Sequence, residues 1–238
     1  MPDYAEDLAH IHASGFTALA EVAAPRIVAL LGQPHGLVVD LGCGGGVTTR
    51  ALVEAGHEVL AVDSSAPMLQ LARRAAPRAH FMHASAFDVE LPECAAIVAV
   101  GEVLSYSERS LDPFFQRAAR ALKPGGLLVA DLAGPGRVPD GCAMRTWFEG
   151  EDWAILVETV EDADSALLTR RMATFRRSGD GWRRGEETHR QRLHRPSDVA
   201  RRLRRAGFRV RIRRGYAGER FAPGHFVVLA NRSRSDRV

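Results

Sequence analysis

The stretch VVDLGCGGGV places three glycines at alternate positions, Gly42, Gly44 and Gly46, directly after a short apolar run. Glycine accepts positive φ and has no Cβ, so a turn of this kind lets backbone N–H groups approach a ligand closely. Asp40 precedes the glycines, and Asp63 ends the next apolar run, HEVLAVD. A carboxylate at the end of a second strand can accept hydrogen bonds from both hydroxyls of a ribose. Together these residues predict a site for a ligand that carries adenosine.

Two classes of adenosine ligand would use such a loop. A dinucleotide site requires G-x-G-x-x-G, because its third glycine lets the helix pack closely on the strand beneath the pyrophosphate. That third position is Val47 here. Asp63 alone does not separate NAD from S-adenosylmethionine, and a lone GxGxG is also compatible with a tight turn that binds nothing. The missing glycine and the presence of Asp40 favour a ligand without pyrophosphate over the cofactor of an NAD-dependent dehydrogenase.

Between residues 37 and 132, short apolar runs alternate with amphipathic stretches. This alternation predicts a parallel, doubly wound sheet with helices on both faces. The run AAIVAVG is apolar throughout, as is typical of a central parallel strand. The predicted helix boundaries are Gly56 at the end of the first helix, Ser64 or Ser65 as the cap of the second, Asp112 as the cap of the third with Pro113 in its first turn, and Gly125 at its end.

The flanking segments have different patterns. Upstream, FTALAEVAAPRIVALL predicts a helical cover that is kinked or restarted near Pro25. Downstream, WAILVETVED, ALLTRRMATFRR and GWRRGEETHRQRL predict consecutive antiparallel strands, with SGDG as the hairpin turn between the last two. Their alternation is poor and both faces carry arginine, which suggests an extension sheet open to solvent, a ligand or a partner subunit. PSDVARRLRRAGF then predicts a helix between Pro196 and Gly207, followed by two strands and a tail, RSRSDRV, expected to be frayed.

The composition limits the class of protein. A chain of 238 residues that is 46% hydrophobic can bury one domain well. Cys43, Cys94 and Cys142 are odd in number and lack metal-ligand spacing, so we expect free thiols in a reducing cytoplasm and no metal site. The start, MPDYAEDLAH, lacks the apolar core of a signal peptide, and no apolar run approaches about 20 residues, so we predict no membrane span.

The net charge of +3 hides a basic segment. Residues 170–220 contain eighteen arginines and five acidic residues, a net of +13, so the rest of the chain carries −10. Such a segment can bind nucleic acid or anionic substrates. The alternative is a set of solvated faces paired with acids elsewhere in the chain.

Five segments in order resemble the successive motifs of class I S-adenosylmethionine-dependent methyltransferases of the small-molecule type: VVDLGCGGG, VLAVDSSAPMLQLARRAA, HASAFDVELP, AAIVAVGEVLSY and ALKPGGLLVAD. The resemblance covers residues 36–132, and RPSDVARRLRRAGFRV with the closing strand pair resembles the family's usual ending. It implies an α/β fold with a doubly wound, Rossmann-like seven-stranded sheet, whose last strand runs antiparallel between its neighbours. The predicted antiparallel β extension is an insertion into that fold.

We therefore predict a single methyltransferase domain over residues 1–238. It divides into an N-terminal helical lid (1–35), a cofactor-binding core (36–133), an antiparallel extension (145–195) and a C-terminal helix with its strand pair (196–232).

The resemblance also implies which residues contact S-adenosylmethionine. Gly42, Cys43 and Gly44 would lie against its methionine part, with Asp40 near the amino end, and Asp63 would bind the ribose hydroxyls. The other implied contacts are Ser64 and Met68 beside the ribose and adenine, Ser85, Ala86 and Phe87 at the adenine edge, and Gly101 and Glu102 facing the sulfonium. The acid usual in the adenine motif is Ser85 here, which leaves Asp88 as the alternative contact.

Methyl transfer is an in-line displacement at a carbon already activated by a positive sulfur. Positioning the nucleophile can supply about 7–11 kcal/mol, and a base is needed only where the nucleophile arrives protonated. The sequence therefore does not require one catalytic residue. The candidates are Glu102, Tyr106 and His12 for catalysis, and Tyr4, His12, Tyr106 and Trp147 for the substrate, with Ser105, His10, Arg145, Trp153, His189 and Arg190 as weaker ones.

The leading prediction is methyl transfer to N or O of a small metabolite or natural product. The alternatives are a nucleic-acid methyltransferase that uses the basic segment and a homologue that binds cofactor without turnover. GEVLSY contains no proline, unlike the Asn/Asp-Pro-Pro-aromatic loop of base-amine methylation, and Phe175 and Trp182 are too isolated to stack successive bases. The sheet over residues 153–193 is predicted to mediate a homodimer contact.

Overall fold

The computed structural model describes residues 4–107, 110–139, 142–216 and 222–233. Most of the tail RSRSDRV lies outside these ranges. The described strands are β1 (Val38–Leu41), β2 (Val59–Asp63), β3 (His80–His83), β4 (Cys94–Ala99), β5 (Leu122–Ala133), β6 (Ala143–Glu149), β7 (Trp153–Asp162), β8 (Leu167–Ser178), β9 (Gly181–Arg192), β10 (Phe208–Arg213) and β11 (His225–Arg232).

Seven of these strands form one sheet in the order β10-β11-β5-β4-β1-β2-β3. Strands β1 to β5 are parallel to one another, whereas β11 runs antiparallel between β5 and β10. Strands β1 and β4 are buried along their whole length, as their apolar sequences require. The predicted doubly wound sheet with an antiparallel last strand is confirmed.

The helices are α1 (Glu6–Gly15), α2 (Ala18–Leu31), α3 (Val47–Glu54), α4 (Ala66–Ala75), α5 (Asp112–Ala121) and α6 (Pro196–Arg205), with a 3₁₀ helix at Val103–Tyr106. Of the two predicted caps of α4, Ser64 and Ser65, the cap is Ser65, whose hydroxyl accepts a hydrogen bond from the Met68 N–H at 3.2 Å. In the described part of the chain no single helix is long and apolar enough to cross a bilayer, although α1 and α2, bent by 65°, pass on length and composition as a pair.

Helix α2 continues through Pro25, where Ala24 and Ile27 are buried, so the predicted restart there does not occur, and a bend of 65° lies between α1 and α2. Two other predicted boundaries are wrong. Asp112 was predicted as the cap of α5 but is its first helical residue, and its N–H donates a hydrogen bond to the Ser110 hydroxyl. Helix α5 ends at its junction with β5, so Gly125, at φ +84°, lies within that strand where its pairing with β4 shifts register.

The remaining four strands form an antiparallel sheet in the order β6-β7-β8-β9. Strands β8 and β9 are joined at the predicted hairpin, where Ser178 pairs with Gly181. Strand β6 was not predicted as a strand, because its side chains are mostly exposed and show no alternation of burial.

The two faces of this extension sheet differ in what they contact. Trp153, Ile155 and Met172 on the inner face form a buried cluster with Leu8 and Ile11 of α1. The outer face has exposed apolar side chains, namely those of Trp147, Leu156 and Trp182. The extension sheet therefore buries only the face that lies towards the N-terminal helices.

Candidate active site

A cavity of about 120 Å³ lies where strands β1 and β4 end, at the edge where open α/β sheets bind ligands. The turn at residues 42–45 forms one wall, and Asp40 and Gly101 also line the cavity. His12 and Phe16, from α1 and the residue after it, line the opposite side. The N–H groups of Gly42 and Cys43 both donate to the Val62 carbonyl, at 2.7 and 3.1 Å, which holds the turn against β2.

The three glycines of the turn have different reasons to be glycine. All have positive φ. A Cβ on Gly42 would lie 2.4 Å from Val103 Cγ2, and a Cβ on Gly46 would lie 2.9 Å from the Ala72 Cα of α4. A Cβ on Gly44 would meet nothing within 4 Å and would enter the space beside the cavity. Two glycines thus allow close packing, and the third leaves room for a ligand.

Asp63 ties the glycine turn to the end of β2. Its carboxylate accepts hydrogen bonds from the Gly44 N–H at 2.9 Å and the Ser65 N–H at 2.8 Å. Burial raises the pKa of Asp63, and these N–H donors oppose that rise. The Ser65 hydroxyl in turn donates to the Tyr4 carbonyl at 2.7 Å, which brings the N-terminal segment over the same strand end.

Asp40 is a buried acid with a neutral partner. The Thr49 hydroxyl donates to its Oδ2 atom at 2.6 Å. Burial raises the pKa of Asp40 to about 7, the charge of Asp63 adds to the rise, and the Thr49 hydrogen bond opposes it. A cation brought next to Asp40 would therefore favour its ionised form.

The residues predicted at the adenine lie beyond this cavity. Met68 is buried in α4, the Ser85 hydroxyl accepts a hydrogen bond from the Phe87 N–H at 3.1 Å, and Asp88 is exposed. The Ser64 hydroxyl is buried and has no hydrogen-bond partner among the described residues. None of Ser64, Met68, Ser85, Ala86 and Phe87 lines the cavity.

A second cavity, of about 400 Å³, lies between α1, the turn after β4 and the inner face of the extension sheet. It shares His12, Phe16, Leu19 and Gly101 with the first cavity, so the two adjoin. Its walls are mostly apolar, with Leu8, Met144, Phe148, Ile155, Val157 and Met172 among them. Its polar side includes Glu102, Arg170 and Gln191.

Glu102 is held by cations and an amide, at a backbone position with φ +60°. One carboxylate oxygen contacts the Arg137 guanidinium. The other accepts a hydrogen bond from Gln191 Nε2 at 3.2 Å and lies 3.8 Å from Arg170 Nη2. Because both oxygens are engaged, this geometry does not favour the predicted catalytic role of Glu102 as a proton acceptor.

Asp131, which the sequence analysis did not select, fixes the turn that carries Glu102. It is buried at the end of β5 and accepts hydrogen bonds from the N–H groups of Gly101 and Glu102 and, at 2.6 Å, from the Tyr216 hydroxyl. Burial beside Asp131 raises the pKa of Tyr216. The available signal was an acid within the apolar strand LLVADL, since a buried carboxylate needs donors.

Arg137 and Glu161 were also missed. The Glu161 carboxylate accepts hydrogen bonds from three successive N–H groups, those of Gly136, Arg137 and Val138, at 2.8, 2.6 and 3.1 Å. This orders the loop that presents Arg137, whose side chain is 5% exposed. Burial and the charge of Arg170 lower the pKa of Arg137 to about 10, and Glu161 opposes this.

Four aromatic rings meet at the second cavity. The Tyr4 ring lies 5.3 Å from that of His12 and 4.8 Å from that of His189, and the Tyr106 ring lies 6.0 Å from that of His189. Burial and the proximity of His189 lower the pKa of His12 to about 4, so its imidazole is neutral at pH 7. Burial and the Tyr106 hydroxyl raise the pKa of Tyr4.

The structure thus brings together three predicted substrate residues, Tyr4, His12 and Tyr106, but not the fourth. Trp147 is 66% exposed and lies on the outer face of the extension sheet, whereas its neighbours Thr146 and Phe148 line the cavity. Side chains along β6 alternate between opposite faces, so the structure does not bring Trp147 to this cavity. Among the weaker candidates, only His189 lines the cavity, and Arg190 is exposed. Trp153 packs in the core cluster, Arg145 pairs with Glu158, and His10 pairs with Asp152. The Ser105 hydroxyl accepts a hydrogen bond from the Ala133 N–H at 2.9 Å.

Comparisons with known proteins agree with this geometry. A family model described as a methyltransferase domain matches residues 38–126. YqeM of Bacillus subtilis (strain 168), a protein named as a methyltransferase, is 24% identical over 218 residues, which cover 87% of this chain and 84% of YqeM. The chain spans less of other curated relatives. It is 31% identical over 99 residues to the mitochondrial ubiquinone biosynthesis O-methyltransferase of Schizosaccharomyces pombe, a match that covers 39% of this chain and 36% of that enzyme.

The fold is shared with solved structures. An S-adenosylmethionine-dependent methyltransferase from Clostridium acetobutylicum ATCC 824 superposes with a TM-score of 0.80 at 18% identity, covering 94% of this chain and 97% of that one. This likeness extends over both sheets, because nearly the whole of each chain is aligned. Residues 38–126 therefore match a methyltransferase domain, and the chain shares its overall fold with a solved S-adenosylmethionine-dependent methyltransferase.

Proposed function

We propose that this protein transfers a methyl group from S-adenosylmethionine to a nitrogen or oxygen atom of a small metabolite or natural product. The observation that carries the proposal is the pair of adjoining cavities, which share His12 and Gly101. One is bounded by the glycine turn and Asp40, and the other by the extension sheet. S-adenosylmethionine supplies a methyl carbon activated by its positive sulfur.

We propose that the first cavity holds the methionine part of the cofactor. The open space at Gly44 fits a ligand that needs close backbone contact, and the buried carboxyl of Asp40 fits an ammonium group. Asp63 would bind the ribose hydroxyls, and the next residue, Ser64, has a buried hydroxyl with no hydrogen-bond partner among the described residues. Gly42 and Cys43 would contribute backbone contacts.

The adenine contacts of Met68, Ser85, Ala86 and Phe87 stay predictions. These residues follow β2 and β3, where the chain continues past Asp63. Asp88 remains the alternative acid, although its side chain is exposed.

We propose that His12 orients the methyl acceptor and removes its proton where it arrives protonated. A neutral imidazole can accept a proton, and His12 lies where the two cavities adjoin. Tyr106 and Tyr4, whose rings lie near the histidines, would help to orient the acceptor. Glu102 would support this geometry through its ion pair rather than react.

The size of the second cavity and the activity of a protein that shares the fold support a small acceptor. A volume of about 400 Å³ is within the range of small-molecule sites. Proteins that share the fold include the sugar N-methyltransferase KedS8 from Streptoalloteichus sp. ATCC 53650, with a TM-score of 0.76 at 21% identity over 98% of this chain and 94% of that one. We regard this as favouring a small acceptor over nucleic acid.

We further propose that residues 1–238 act as one methyltransferase domain in which the N-terminal helices close the site. Asp7 of α1 pairs with Arg183, and Ala5 donates to Glu187, so both contacts join the N-terminal segment to the extension sheet. A cytoplasmic location stays a prediction, which the free cysteines support because Cys142 is exposed and unpaired.

The predicted homodimer is also a proposal. The outer face of the extension sheet exposes Trp147, Leu156 and Trp182, and such a patch is typical of an interaction surface. Sedimentation of the protein at high concentration tests it, because a monomer throughout would exclude this contact.

Two measurements test the proposed function. Calorimetry should detect binding of S-adenosylhomocysteine and no binding of NAD. Transfer of tritium from methyl-labelled S-adenosylmethionine into fractionated cell metabolites should then identify the acceptor. Binding of NAD in place of S-adenosylhomocysteine would contradict the proposal, and cofactor binding without transfer into any fraction would favour a homologue that lacks turnover.

A further inference from the structure

We propose that the second cavity binds an acceptor with a carboxylate group on an apolar body, and that Arg170 is the specificity-determining residue that binds the carboxylate. The proposal rests on the proposed function, since it names the substrate class of the same site.

The apolar part of the acceptor follows from the walls. Most side chains around the cavity are aliphatic or aromatic, contributed by α1 on one side and by β6, β7 and β8 on the other. Phe16 packs edge-on against Phe148 with ring centroids 5.1 Å apart, which closes the wall between these elements. A strongly hydrated acceptor would lose water here without gaining polar partners.

The charge at the polar side is unbalanced. Glu102 is a single carboxylate beside two guanidinium groups, those of Arg137 and Arg170. Arg137 contacts it directly and is almost fully buried, so the two form the closer pair. Arg170 is left with its Nη2 atom 3.8 Å from Glu102, at the outer limit of an ion pair, and that is its only ion pair in the described part of the chain.

The other contact of Arg170 is neutral. Its Nη1 atom donates to the amide oxygen of Gln191, whose Nε2 donates to Glu102 at 3.2 Å. The amide fixes the guanidinium without neutralising it. The Arg170 side chain is 27% exposed and lines the cavity, so a ligand can reach it, whereas Arg137 is sealed behind Glu102.

Nearby acids already have other donors. Glu161 accepts from the N–H groups of Gly136 to Val138, and Glu187 accepts from His189 Nε2 at 2.9 Å and from the Ala5 N–H at 3.1 Å. His12 adds no charge at pH 7. The cavity thus presents one cation without a close counterion, inside walls that weaken the screening by water.

A guanidinium with free N–H groups matches a carboxylate in shape as well as charge, because its planar fork can donate two parallel hydrogen bonds. A carboxylate placed at Arg170 would balance the second guanidinium, and the apolar body would fill the rest of the cavity. A neutral isostere such as a primary amide could occupy the same space but would leave the charge unpaired.

The test uses matched acids and amides on the full chain saturated with S-adenosylhomocysteine. Benzoate, 3-phenylpropanoate and hexanoate are each titrated by calorimetry beside the corresponding primary amide. We expect at least one acid to bind about tenfold or more tightly than its amide, the range of a charge-assisted hydrogen-bonded pair. If no acid binds more tightly than its amide while S-adenosylhomocysteine binds normally, the substrate class is wrong and the proposed function stands. If S-adenosylhomocysteine itself does not bind, the proposed function fails first.

Variants on one strand assign the effect to a residue. Arg170→Gln should reduce the acid's affinity to that of the amide, and Arg170→Lys, which keeps the charge but loses the planar fork, should give an intermediate value. Arg171→Gln is the matched control, since Arg171 lies on the outer face of β8 and pairs with Glu158 at 3.0 Å. Retention of the acid preference in Arg170→Gln, or its loss in Arg171→Gln, would overturn the role of Arg170. Unchanged affinity for S-adenosylhomocysteine reports that each variant is folded.

Discussion

The two cavities are built in different ways. One wall of the first is the continuous turn at residues 42–45, preceded by Asp40, and the N-terminal helices form the other side. The second is made of side chains from segments that lie far apart in the chain, from α1 to β9. A short motif therefore predicts the glycine wall of the first cavity, whereas the second cavity also requires the extension sheet to lie against α1 and the central sheet.

The acids of the two cavities also have different partners. Asp40 and Asp63 are held by a hydroxyl and by backbone N–H groups, all neutral donors. Glu102 is held by arginine. A buried acid with neutral donors keeps capacity for a cationic ligand, while a buried acid paired with arginine mainly supports structure. This contrast predicts that the two cavities respond to different substitutions.

Breaking the arginine pair should have the largest effect. Arg137→Met leaves the Glu102 carboxylate buried with a weaker set of partners, and we expect the free energy of unfolding to fall by about 3–5 kcal/mol. Adding Glu102→Gln should recover part of this loss, because the uncompensated charge is then removed. Urea unfolding of both single variants and the double variant measures the coupling. Additive effects would contradict the pairing.

Removing the predicted ribose ligand should come next. Asp63→Ala should weaken binding of S-adenosylhomocysteine about 100-fold, from the loss of two hydrogen bonds to a charged group, while the far-ultraviolet circular dichroism stays that of the wild type. Asp88→Ala removes an exposed acid nearby and is the control, with no change expected. Wild-type affinity in Asp63→Ala would exclude the ribose assignment, and weakened affinity in Asp88→Ala would assign Asp88 to the cofactor.

A smaller effect should follow pH at the first cavity. The pKa of Asp40 is raised to about 7, so its carboxyl is mostly neutral at lower pH and mostly charged at higher pH. A ligand ammonium group prefers the charged form, so affinity for S-adenosylhomocysteine should rise about tenfold between about pH 6 and pH 8. Asp40→Asn should show low affinity with a flat profile over that range. A pH dependence that persists in the variant would exclude Asp40 as its source.

The smallest effect is expected at the outer face of the extension sheet. Trp147→Ala should change the unfolding free energy of the monomer by no more than about 0.5 kcal/mol and leave acceptor binding unchanged. Trp153→Ala, on the neighbouring strand but 6% exposed, should cost about 3–5 kcal/mol. Thermal unfolding together with acceptor titration distinguishes the two tryptophans. Loss of acceptor binding in Trp147→Ala would show that Trp147 contributes to the acceptor site.

Local signals in the sequence were sufficient for much of the fold. The start of α4 at Ser64 or Ser65, the hairpin at Ser178–Gly181 and the end of α6 near Gly207 were predicted, since each depends on a few neighbouring residues. The boundary at Gly125 was not, because pairing between β5 and β4 extends the strand back to the end of α5. Tertiary contacts there outweighed a local helix-stop signal.

In the site, the sequence by itself determined the glycine turn, Asp40 and Asp63, because their spacing depends on one consecutive strand–turn–helix–strand unit. Only the tertiary structure decided that Asp131 holds the Glu102 turn, that Arg137 pairs with Glu102, and that Trp147 faces away from the cavity. The face of Trp147 depends on the register that pairs it with Leu156 of β7, and a slip of one residue would reverse it. Register and long-range ion pairs are properties of strands brought together in space, so a single segment of sequence does not contain them.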